Sequence, residues 1–305
     1  MMTNKIKFKS EIILLMVALL WSGTFAIIKD AINDISPMAL VAIRFGIAGI
    51  ILLPFMKDKV FTKQNILAGI FLGTLLCIEF ATQTFGLKFT TATKSGFLTG
   101  TAVIMVPLLQ VIIKKRKPTN GVIIGTVLVI FGLSFLSSIG SSILNLFNDI
   151  GSNFNLGDAL TLTSALFFAL YIIYLDIETL KHDFCVLLFL QFITTAFLAG
   201  IFLLGFSVTK LEPVKMDLNP NLIFVIVYTS LFATLIATAL QTKYQKDVTP
   251  TKAVIIFSFE PIFAALFAFI MLGEKINSFG HLGATLIILG LLISELYENL
   301  LMKKR

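Results

Sequence analysis

Residues 184–206 read FCVLLFLQFITTAFLAGIFLLGF, and the run contains no charged side chain. An α-helix rises about 1.5 Å per residue, so a helix of this length crosses the roughly 30 Å hydrocarbon core of a bilayer. Nine further runs of this kind lie along the chain, separated by short hydrophilic breaks. The pattern predicts a polytopic helical membrane protein, because so many apolar runs leave little sequence for a water-soluble domain.

The predicted fold is an all-α membrane protein with ten transmembrane helices. Lipid requires that backbone polar groups be hydrogen-bonded internally, which favours helices, and the alternating polarity typical of a β-barrel does not occur. Pro107 and Pro261 fall inside the fourth and ninth spans, where the missing N–H predicts kinks. The predicted spans are residues 11–29, 38–56, 66–87, 95–113, 121–139, 157–177, 184–206, 221–242, 253–273 and 279–297.

The composition is also that of a membrane protein. Hydrophobic residues make up 57% of the chain and charged residues 13%, whereas soluble domains average roughly 45–50% and 25%. The chain contains 30 phenylalanines among 305 residues, more than a soluble fold of this size readily buries. A lipid environment accounts for this excess.

The distribution of Lys and Arg predicts the orientation in the membrane. If the N-terminus is cytoplasmic, 17 of the 24 basic residues lie at the cytoplasmic ends of the spans and 6 at the outer ends, with Arg44 inside the second span. Cytoplasmic loops carry the excess of Lys and Arg. We therefore expect a multi-pass protein of the cell membrane, plasma or inner, with both termini in the cytoplasm. The net charge of +7 is interpreted as this topology signal and not as nucleic-acid binding. The cluster Lys114–Lys117 can also contact anionic lipid headgroups, but a stop-transfer role is favoured.

The two halves of the chain resemble each other. Thr93-Lys94-Ser95 at the start of the fourth span matches Thr251-Lys252-Ala253 at the start of the ninth, at an offset of 158 residues. The same offset relates Gly125 and Gly132 to Gly283 and Gly290, and Ala18-Leu19-Leu20-Trp21 resembles Ala165-Leu166-Phe167-Phe168. Two five-helix repeats are predicted, residues 1–150 and 151–305.

A repeat with an odd number of spans enters the membrane in opposite orientations in its two copies. Inverted repeats recur in secondary transporters, where the substrate site lies near the bilayer midplane between the halves. Two similar halves around a central cavity can exchange conformations, which gives inward-open and outward-open states of comparable energy. The arrangement predicts transport by alternating access.

Short motifs recur in a fixed order through the spans. Those of the first half are Ala18-Leu-Leu-Trp21-Ser-Gly23-Thr-Phe25, Ser36-Pro37, Arg44-Phe45, Gln83-Thr-Phe-Gly-Leu87, Thr90-Thr-Ala-Thr-Lys94-Ser-Gly-Phe-Leu-Thr99 and Val106-Pro107-Leu108. Those of the second half are Gly157-Asp158, Thr249-Pro250-Thr-Lys252-Ala253, Phe259-Glu260-Pro261-Ile-Phe263, Leu272-Gly273-Glu274 and Gly283-Ala-Thr-Leu-Ile-Ile-Leu-Gly290. Each string is weak alone, but their order and spacing are specific. In these motifs, over nearly its whole length, the chain resembles EamA-type members of the drug/metabolite transporter superfamily.

The resemblance implies ten helices in two inverted five-helix halves around a central cavity. Members of this family mostly move small organic metabolites, including amino acids, often outward. The expected function is therefore secondary transport of an amino acid or a related small-molecule substrate, with export the expected direction. The fold does not specify the substrate itself.

Three ionisable residues fall inside predicted spans, where a charge is costly unless it faces protein, water or a partner. Arg44 keeps a permanent charge and five donors, so it can bind a substrate carboxylate or form an internal ion pair with Glu79. Glu79 is the leading candidate for substrate or proton binding, because burial favours the neutral, proton-carrying form of a carboxyl group. Glu260 precedes Pro261, whose missing N–H leaves backbone polarity nearby. It is a candidate for substrate contact or for a structural or gating role.

Further candidates for substrate contact are polar and aromatic residues within the spans. Gln83 lies one helical turn after Glu79 and shares its face. Interhelical hydrogen bonding and packing explain many such residues equally well. The other candidates are Trp21, Phe25, Thr99, Tyr171, Gln191 and Phe257.

Other function classes fit the sequence less well. An enzyme within the membrane needs a nucleophile with its base, or a metal cluster, yet the chain has only two histidines, His182 and His281, and no His-Glu-x-x-His motif. No catalytic residue, cofactor or metal site is predicted. A passive facilitator or channel with the same fold stays open as an alternative. Glycine pairs such as Gly69 and Gly73 can form a homodimer seam or pack helices within one bundle, and the second interpretation is favoured.

Overall fold

The computed structural model describes residues 4–115, 119–136, 155–210, 212–273 and 278–303, and these residues are mostly helical. The helices are α1 (Asn4–Ala31), α2 (Pro37–Leu52), α3 (Lys63–Phe89), α4 (Ala92–Gly100), α5 (Ala102–Lys114), α6 (Asn120–Leu136), α7 (Leu156–Glu178), α8 (Phe184–Val208), α9 (Pro220–Val227), α10 (Ala237–Tyr244), α11 (Pro250–Phe257), α12 (Glu260–Leu272) and α13 (Ser278–Lys303). A π-helix, Tyr228–Ile236, joins α9 to α10, and 3₁₀ turns at Leu53–Met56 and Gln245–Asp247 extend α2 and α10.

Eight stretches of the described chain are long and apolar enough to cross a membrane, and they coincide closely with eight of the predicted spans. The fifth and tenth predicted spans correspond to α6 and α13, where the apolar runs within the described residues are shorter. Residues 137–139 and the predicted repeat boundary at 150 lie outside the described residues. The eight stretches are Lys7–Ala31, Pro37–Met56, Lys63–Phe89, Ala92–Ile113, Leu156–Glu178, Phe184–Val208, Pro220–Asp247 and Pro250–Leu272.

The hydrophilic breaks in the sequence supply the caps at which helices begin. A side-chain oxygen that accepts from a first-turn N–H satisfies one of the donors that the helix leaves free. Such caps are made by Thr62, Thr91, Asn155, Asp183, Asn219 and Thr249. Prolines open α2, α9 and α11, where a missing N–H costs little.

The fourth and ninth spans are each interrupted near the middle. α4 ends and α5 begins at Thr101, well before Pro107, which lies inside α5. α11 ends before Phe259, and Pro261 lies in the first turn of α12. Thr101 and Phe259 each donate an i→i−3 hydrogen bond of 3.1 Å, and they are equivalent at the offset of 158. The break at Phe259 adjoins Pro261, where a kink was predicted, whereas the break at Thr101 was not predicted and Pro107 lies within α5.

Helices of the two halves pack in reciprocal pairs. α1 contacts α11 and α12 of the second half, and α7, its equivalent, contacts α4 and α5 of the first. α2 packs against its own equivalent, α8. Phe45 and Phe192, related by an offset of 147 residues, meet there as buried rings with centroids 5.7 Å apart. Exchanging the halves therefore reproduces the same set of neighbours.

The backbones of the two halves approach each other closely where α6 meets α13. A Cβ added to Gly132 would lie 2.7 Å from the carbonyl oxygen of Gly283, and a Cβ added to Gly290 would lie 2.7 Å from that of Gly125. These four glycines are the ones related by the offset of 158. The two contacts are therefore copies of each other, and only glycine fits at the two crossing points.

Replacing Gly132 by Leu is expected to destabilise the protein. The new side chain would meet the backbone of Gly283 and the side chain of Ile287, and overpacking of this kind costs about 1–3 kcal/mol. Thermal unfolding in detergent should show a lower Tm than for the wild type. Gly200→Leu is the matched control, because no atom lies within 4 Å of a Cβ added there. Equal Tm values for the two variants would contradict the close approach.

Other paired glycines also face helices of the same chain. Cβ atoms added to Gly69 and Gly73 would lie 2.3 Å from Leu190 Cβ and 2.6 Å from Thr194 Cβ, both on α8. The interpretation of these glycines as packing sites within one bundle is confirmed.

Candidate functional site

A narrow cavity lies between helices of both halves, with groups contributed by α1, α3, α4, α7 and α12. Its free volume is only about 10 Å³, which is room for on the order of one water molecule. Five of the ten predicted substrate contacts line it together, so the sequence identified much of its chemistry. Its walls are formed by Trp21, Thr24, Glu79, Phe80, Gln83, Thr99, Phe168 and Glu260.

Two carboxyl groups share this cavity. Glu79 lies in the middle of α3 and Glu260 in the first turn of α12, and both are buried. Gln83, one turn after Glu79, donates from Nε2 to Thr99 Oγ1 at 3.4 Å. Glu79 interacts electrostatically with Glu260 and with Arg44. Like charges repel strongly in a medium of low dielectric, so this site needs a proton or a cation close to the two acids.

Arg44 lies behind one wall of the cavity. Its Nε donates to Thr234 Oγ1 at 2.7 Å, and its guanidinium carbon lies 4.5 Å from the centroid of the Phe80 ring and 5.5 Å from that of Phe45. Phe80 also lines the cavity, so its ring contacts both the cavity and the cation. Among the described residues, Nη2 of Arg44 and Oε2 of Glu79 have no hydrogen-bond partner. Two ionisable groups beside the cavity therefore each have a polar atom that can still form a hydrogen bond.

Two aromatic rings, Trp21 and Phe168, form a second wall, and the ring of Phe257 contacts both. Trp21 meets Phe168 edge-on with centroids 5.7 Å apart, and its centroid lies 5.4 Å from that of Phe257. The indole Nε1 donates to the carbonyl oxygen of Ala233 at 2.8 Å, within the π-helix. π-helical segments frequently occur at functional sites. This wall offers a flat apolar surface next to the acids.

The other predicted contacts occupy different places. Phe257 lines an adjoining cavity of about 10 Å³ that Thr99, Phe168 and Glu260 also line. Tyr171 donates to Gln191 Oε1 at 3.0 Å in a fully buried polar network outside both linings. Phe25 packs in a separate hydrophobic cluster with Ile28 and Ala264 and lines neither cavity.

Three lining residues were absent from the predicted contacts: Thr24, Phe80 and Phe168. Phe168 is the equivalent of Trp21 at the offset of 147, so the repeat itself contained a signal for it. Phe80 and Thr24 adjoin predicted residues on the same helices, but an apolar sequence does not define which way each helix is turned.

Equivalent ion pairs lie on either side of the cavity. Lys94 Nζ, in the first turn of α4, lies 2.6 Å from Asp158 Oδ2 in the first turn of α7, and Asp158 also accepts from Thr90 Oγ1 at 2.8 Å. Lys252, in the first turn of α11, forms an ion pair with Glu11 of α1. The offset of 158 relates the two lysines, and the offset of 147 relates Glu11 to Asp158. Each pair joins the first helix of one half to the fourth span of the other.

Sequence comparison assigns the chain to a family. The profile of the EamA-like transporter family matches residues 8–138 and 155–296. The chain belongs to this family. Two proteins of Archaeoglobus fulgidus, each named an uncharacterized transporter, are similar to it. One is 32% identical over 93% of this chain and 84% of its own length, and the other 26% identical over 95% and 99%.

Structural comparison agrees with this assignment. A solved crystal structure with 15% sequence identity superposes with a TM-score of 0.74 and covers 96% of this chain and 98% of its own, which shows a shared fold. The EamA profile matches twice, so the domain is duplicated. Family membership and the apolar helices establish a multi-pass membrane transporter.

Proposed function

We propose that this EamA protein is a secondary transporter that moves a small organic metabolite, an amino acid or a related compound, out of the cell by alternating access. The observation that carries the proposal is the central cavity, which is lined by both halves and flanked by two equivalent ion pairs. A site enclosed in this way can open to one side when one ion pair breaks and to the other side when its equivalent breaks.

The proposal includes ten spans in two inverted halves, with both termini in the cytoplasm of a cell whose plasma or inner membrane holds the chain. Support comes from the reciprocal packing of α6 with α13 and from the excess of Lys and Arg at one predicted face. In this orientation the Lys94–Asp158 pair lies toward the outside and the Lys252–Glu11 pair toward the cytoplasm.

The chemistry of the site supports a substrate with both charge and an apolar part. The acids Glu79 and Glu260 can hold an ammonium group, and Trp21 and Phe168 offer a flat wall to an apolar or aromatic portion. Arg44 can meet a carboxylate through its free Nη2 once Phe80 moves. A zwitterionic metabolite of about amino-acid size satisfies all of these groups.

Counterflow in proteoliposomes tests the proposal. A screen of metabolite release from cells with and without the protein first identifies a substrate. Vesicles preloaded with that compound should then take up labelled compound faster than empty vesicles, because a carrier returns faster when loaded. Uptake that is insensitive to the preload would contradict alternating access and favour a passive facilitator or channel of the same fold.

Replacing Glu79 by Gln is expected to remove the pH dependence of transport and to lower its rate by roughly tenfold or more. Gln keeps the size and the acceptor oxygen, but it cannot take up and release a proton. Transport would be measured over a series of pH values in proteoliposomes. Glu178→Gln, at the end of α7, outside the cavity and paired with Lys181, is the control. A Glu79→Gln protein with the full rate and an unchanged pH profile would contradict proton carriage by this residue.

A further inference from the structure

The eighth span carries a line of buried polar side chains. Ser230, Thr234 and Thr238 are spaced by four residues, and Gln241 or Thr242 and then Gln245 continue the line toward the end of α10. All of them are essentially inaccessible to solvent. Residues four apart share a helix face, so these groups form one polar stripe inside the bundle. We call Ser230, Thr234, Thr238, Gln241, Thr242 and Gln245 the polar stripe.

Part of the polar stripe is unsatisfied by protein. Within the described residues, Ser230 Oγ, Thr238 Oγ1 and Gln241 Oε1 have no hydrogen-bond partner. Buried polar groups in native proteins are normally paired with protein or with ordered water. A line of unpaired hydroxyl and amide oxygens therefore indicates a place that binds water.

The polar stripe connects with the groups around Glu79. Thr234 accepts from Arg44 Nε at 2.7 Å. Thr242 accepts from Gln191 Nε2 at 3.3 Å, and Gln191 Oε1 accepts from Tyr171 Oη at 3.0 Å. The titratable and charged groups that interact with Glu79 are Arg44 on α2, Glu260 on α12 and Tyr171 on α7. Arg44 is therefore hydrogen-bonded directly to the polar stripe, and Tyr171 is connected to it through the side-chain amide of Gln191.

The other end of the polar stripe reaches the end of the span. Gln241 Nε2 donates to Gln245 Oε1 at 2.9 Å, and Gln245 Nε2 donates to the carbonyl oxygen of Ile172 at 2.8 Å. Lys246 and Lys243, beside them, are exposed. In the proposed orientation this end faces the cytoplasm.

The repeat shows that this polarity is not a requirement of the fold. At the offset of 158, Ser230, Thr234 and Thr238 correspond to Leu72, Leu76 and Phe80 of α3, and Gln245 corresponds to Leu87, whereas Gln241 and Thr242 correspond to the polar Gln83 and Thr84. Four of the six positions of the polar stripe are thus apolar in the first half and polar in the second. Helix packing accommodates apolar as well as polar side chains at these positions, so we attribute a function to the polar side chains of the second half.

We propose that the polar stripe binds a chain of water molecules through which protons pass between the cytoplasm and Glu79. A hydronium ion at the cytoplasmic end gives its proton to the water chain, and a carboxylate oxygen of Glu79 accepts a proton at the other end. The reverse sequence releases it. The inference rests on the proposed function, because it takes Glu79 as the proton carrier. It adds the path that the protons take and the side of the membrane from which they enter.

The chain provides its own reporter for this step. Trp21 is the single tryptophan of the protein and lines the same cavity as Glu79 and Glu260, so its fluorescence should respond to the charge of these acids. A rapid pH jump applied to sealed proteoliposomes of mixed orientation should give a fast phase from molecules whose cytoplasmic face meets the new pH. Glu79→Gln should abolish this phase, which assigns it.

Thr238→Val and Gln191→Leu are expected to slow the fast phase by about tenfold, equal to about 1.4 kcal/mol of barrier, without changing its amplitude. Thr238→Ser, which restores the hydroxyl, should recover the rate and show that packing is not the cause. Thr229→Val is the matched control, because Thr229 is buried on the same helix but its hydroxyl donates within that helix to Val225 O at 2.7 Å.

The outcomes separate the two proposals. A fast phase that survives in both Thr238→Val and Gln191→Leu, that is absent from the wild type, or that persists in Glu79→Gln overturns the proton route. In each of those cases, counterflow by the same wild-type vesicles would still support the transporter proposal. Loss of counterflow alone contradicts transport by alternating access.

Discussion

Lys94→Met is expected to open the central cavity toward the outer face, and Lys252→Met to open it toward the cytoplasm. Each lysine neutralises an acid of the opposite half, and the side chain of Asp158 is completely buried beside Lys94. Loss of one partner leaves an uncompensated buried charge, which costs about 3–5 kcal/mol when the pair is fully buried. The Lys94 side chain is 24% exposed, so we expect about 1.5 kcal/mol, or roughly a tenfold rise in the open state.

A cysteine in the cavity measures this opening. Cys77 and Cys185, the two native cysteines, are first replaced by Ala, and Thr24→Cys is introduced, because Thr24 lines the cavity and is buried. A maleimide that does not cross membranes is then applied to intact cells and to inverted vesicles. Lys94→Met should raise labelling about tenfold from outside and Lys252→Met from the cytoplasmic side.

Lys181→Met is the control for this experiment, since its partner Glu178 lies only three residues earlier in the same half and neither side should gain labelling. The opposite responses of two equivalent residues are the decisive feature. Increased labelling from the same side in both lysine variants, or no change in either, would contradict the proposal that the ion pairs close the two ends of the cavity.

The spans followed from sequence because their determinant is local. A run such as 184–206 is apolar throughout and bounded by charged residues, and the structure places α8 at Phe184–Val208. The two interruptions were harder to locate. Pro107 predicted a kink within α5 but gave no signal for the break at Thr101, where no proline lies. The π-helix at Tyr228–Ile236 has no composition signal that distinguishes it from an α-helix.

The sequence predicted the ionisable residues of the candidate site better than the other residues that line it. A charge in an apolar span is costly, so Glu79, Glu260 and Arg44 were conspicuous in sequence, and all three lie in or beside the cavity. Phe25 and Gln191 failed to join them. Their helices are apolar on nearly every face, so no hydrophobic stripe indicates which side faces the interior, and only packing decides the rotation.

The ion pairs illustrate information that was present but unused. Lys94 and Lys252 were already related by the offset of 158. Applying the offset of 147, which relates Trp21 to Phe168, to Asp158 would have returned Glu11, a second acid at the equivalent place. Equivalent acids and equivalent bases in the two halves form the pattern that the proposed inverted arrangement would produce.

Replacing Arg44 by Met is expected to lower the free energy of unfolding by about 3 kcal/mol and to abolish transport. The variant loses the hydrogen bond from Nε to Thr234 and the contacts with the Phe80 and Phe45 rings. It also leaves Glu79 and Glu260 without the cation that offsets their repulsion. Thermal unfolding in detergent and uptake in proteoliposomes measure the two effects separately.

A second variant separates charge balance from substrate binding by Arg44. Adding Glu79→Gln to Arg44→Met removes one of the two acids, so much of the lost stability should return, because only Glu260 then remains as a buried acid without a cation. Transport by the double variant should fall well below that of Glu79→Gln alone if Arg44 meets the substrate carboxylate, and Arg44→Lys should also transport poorly, because an ammonium group lacks the planar fork of a guanidinium. A double variant that transports as fast as Glu79→Gln alone would instead assign Arg44 a purely structural part as the partner of Glu79.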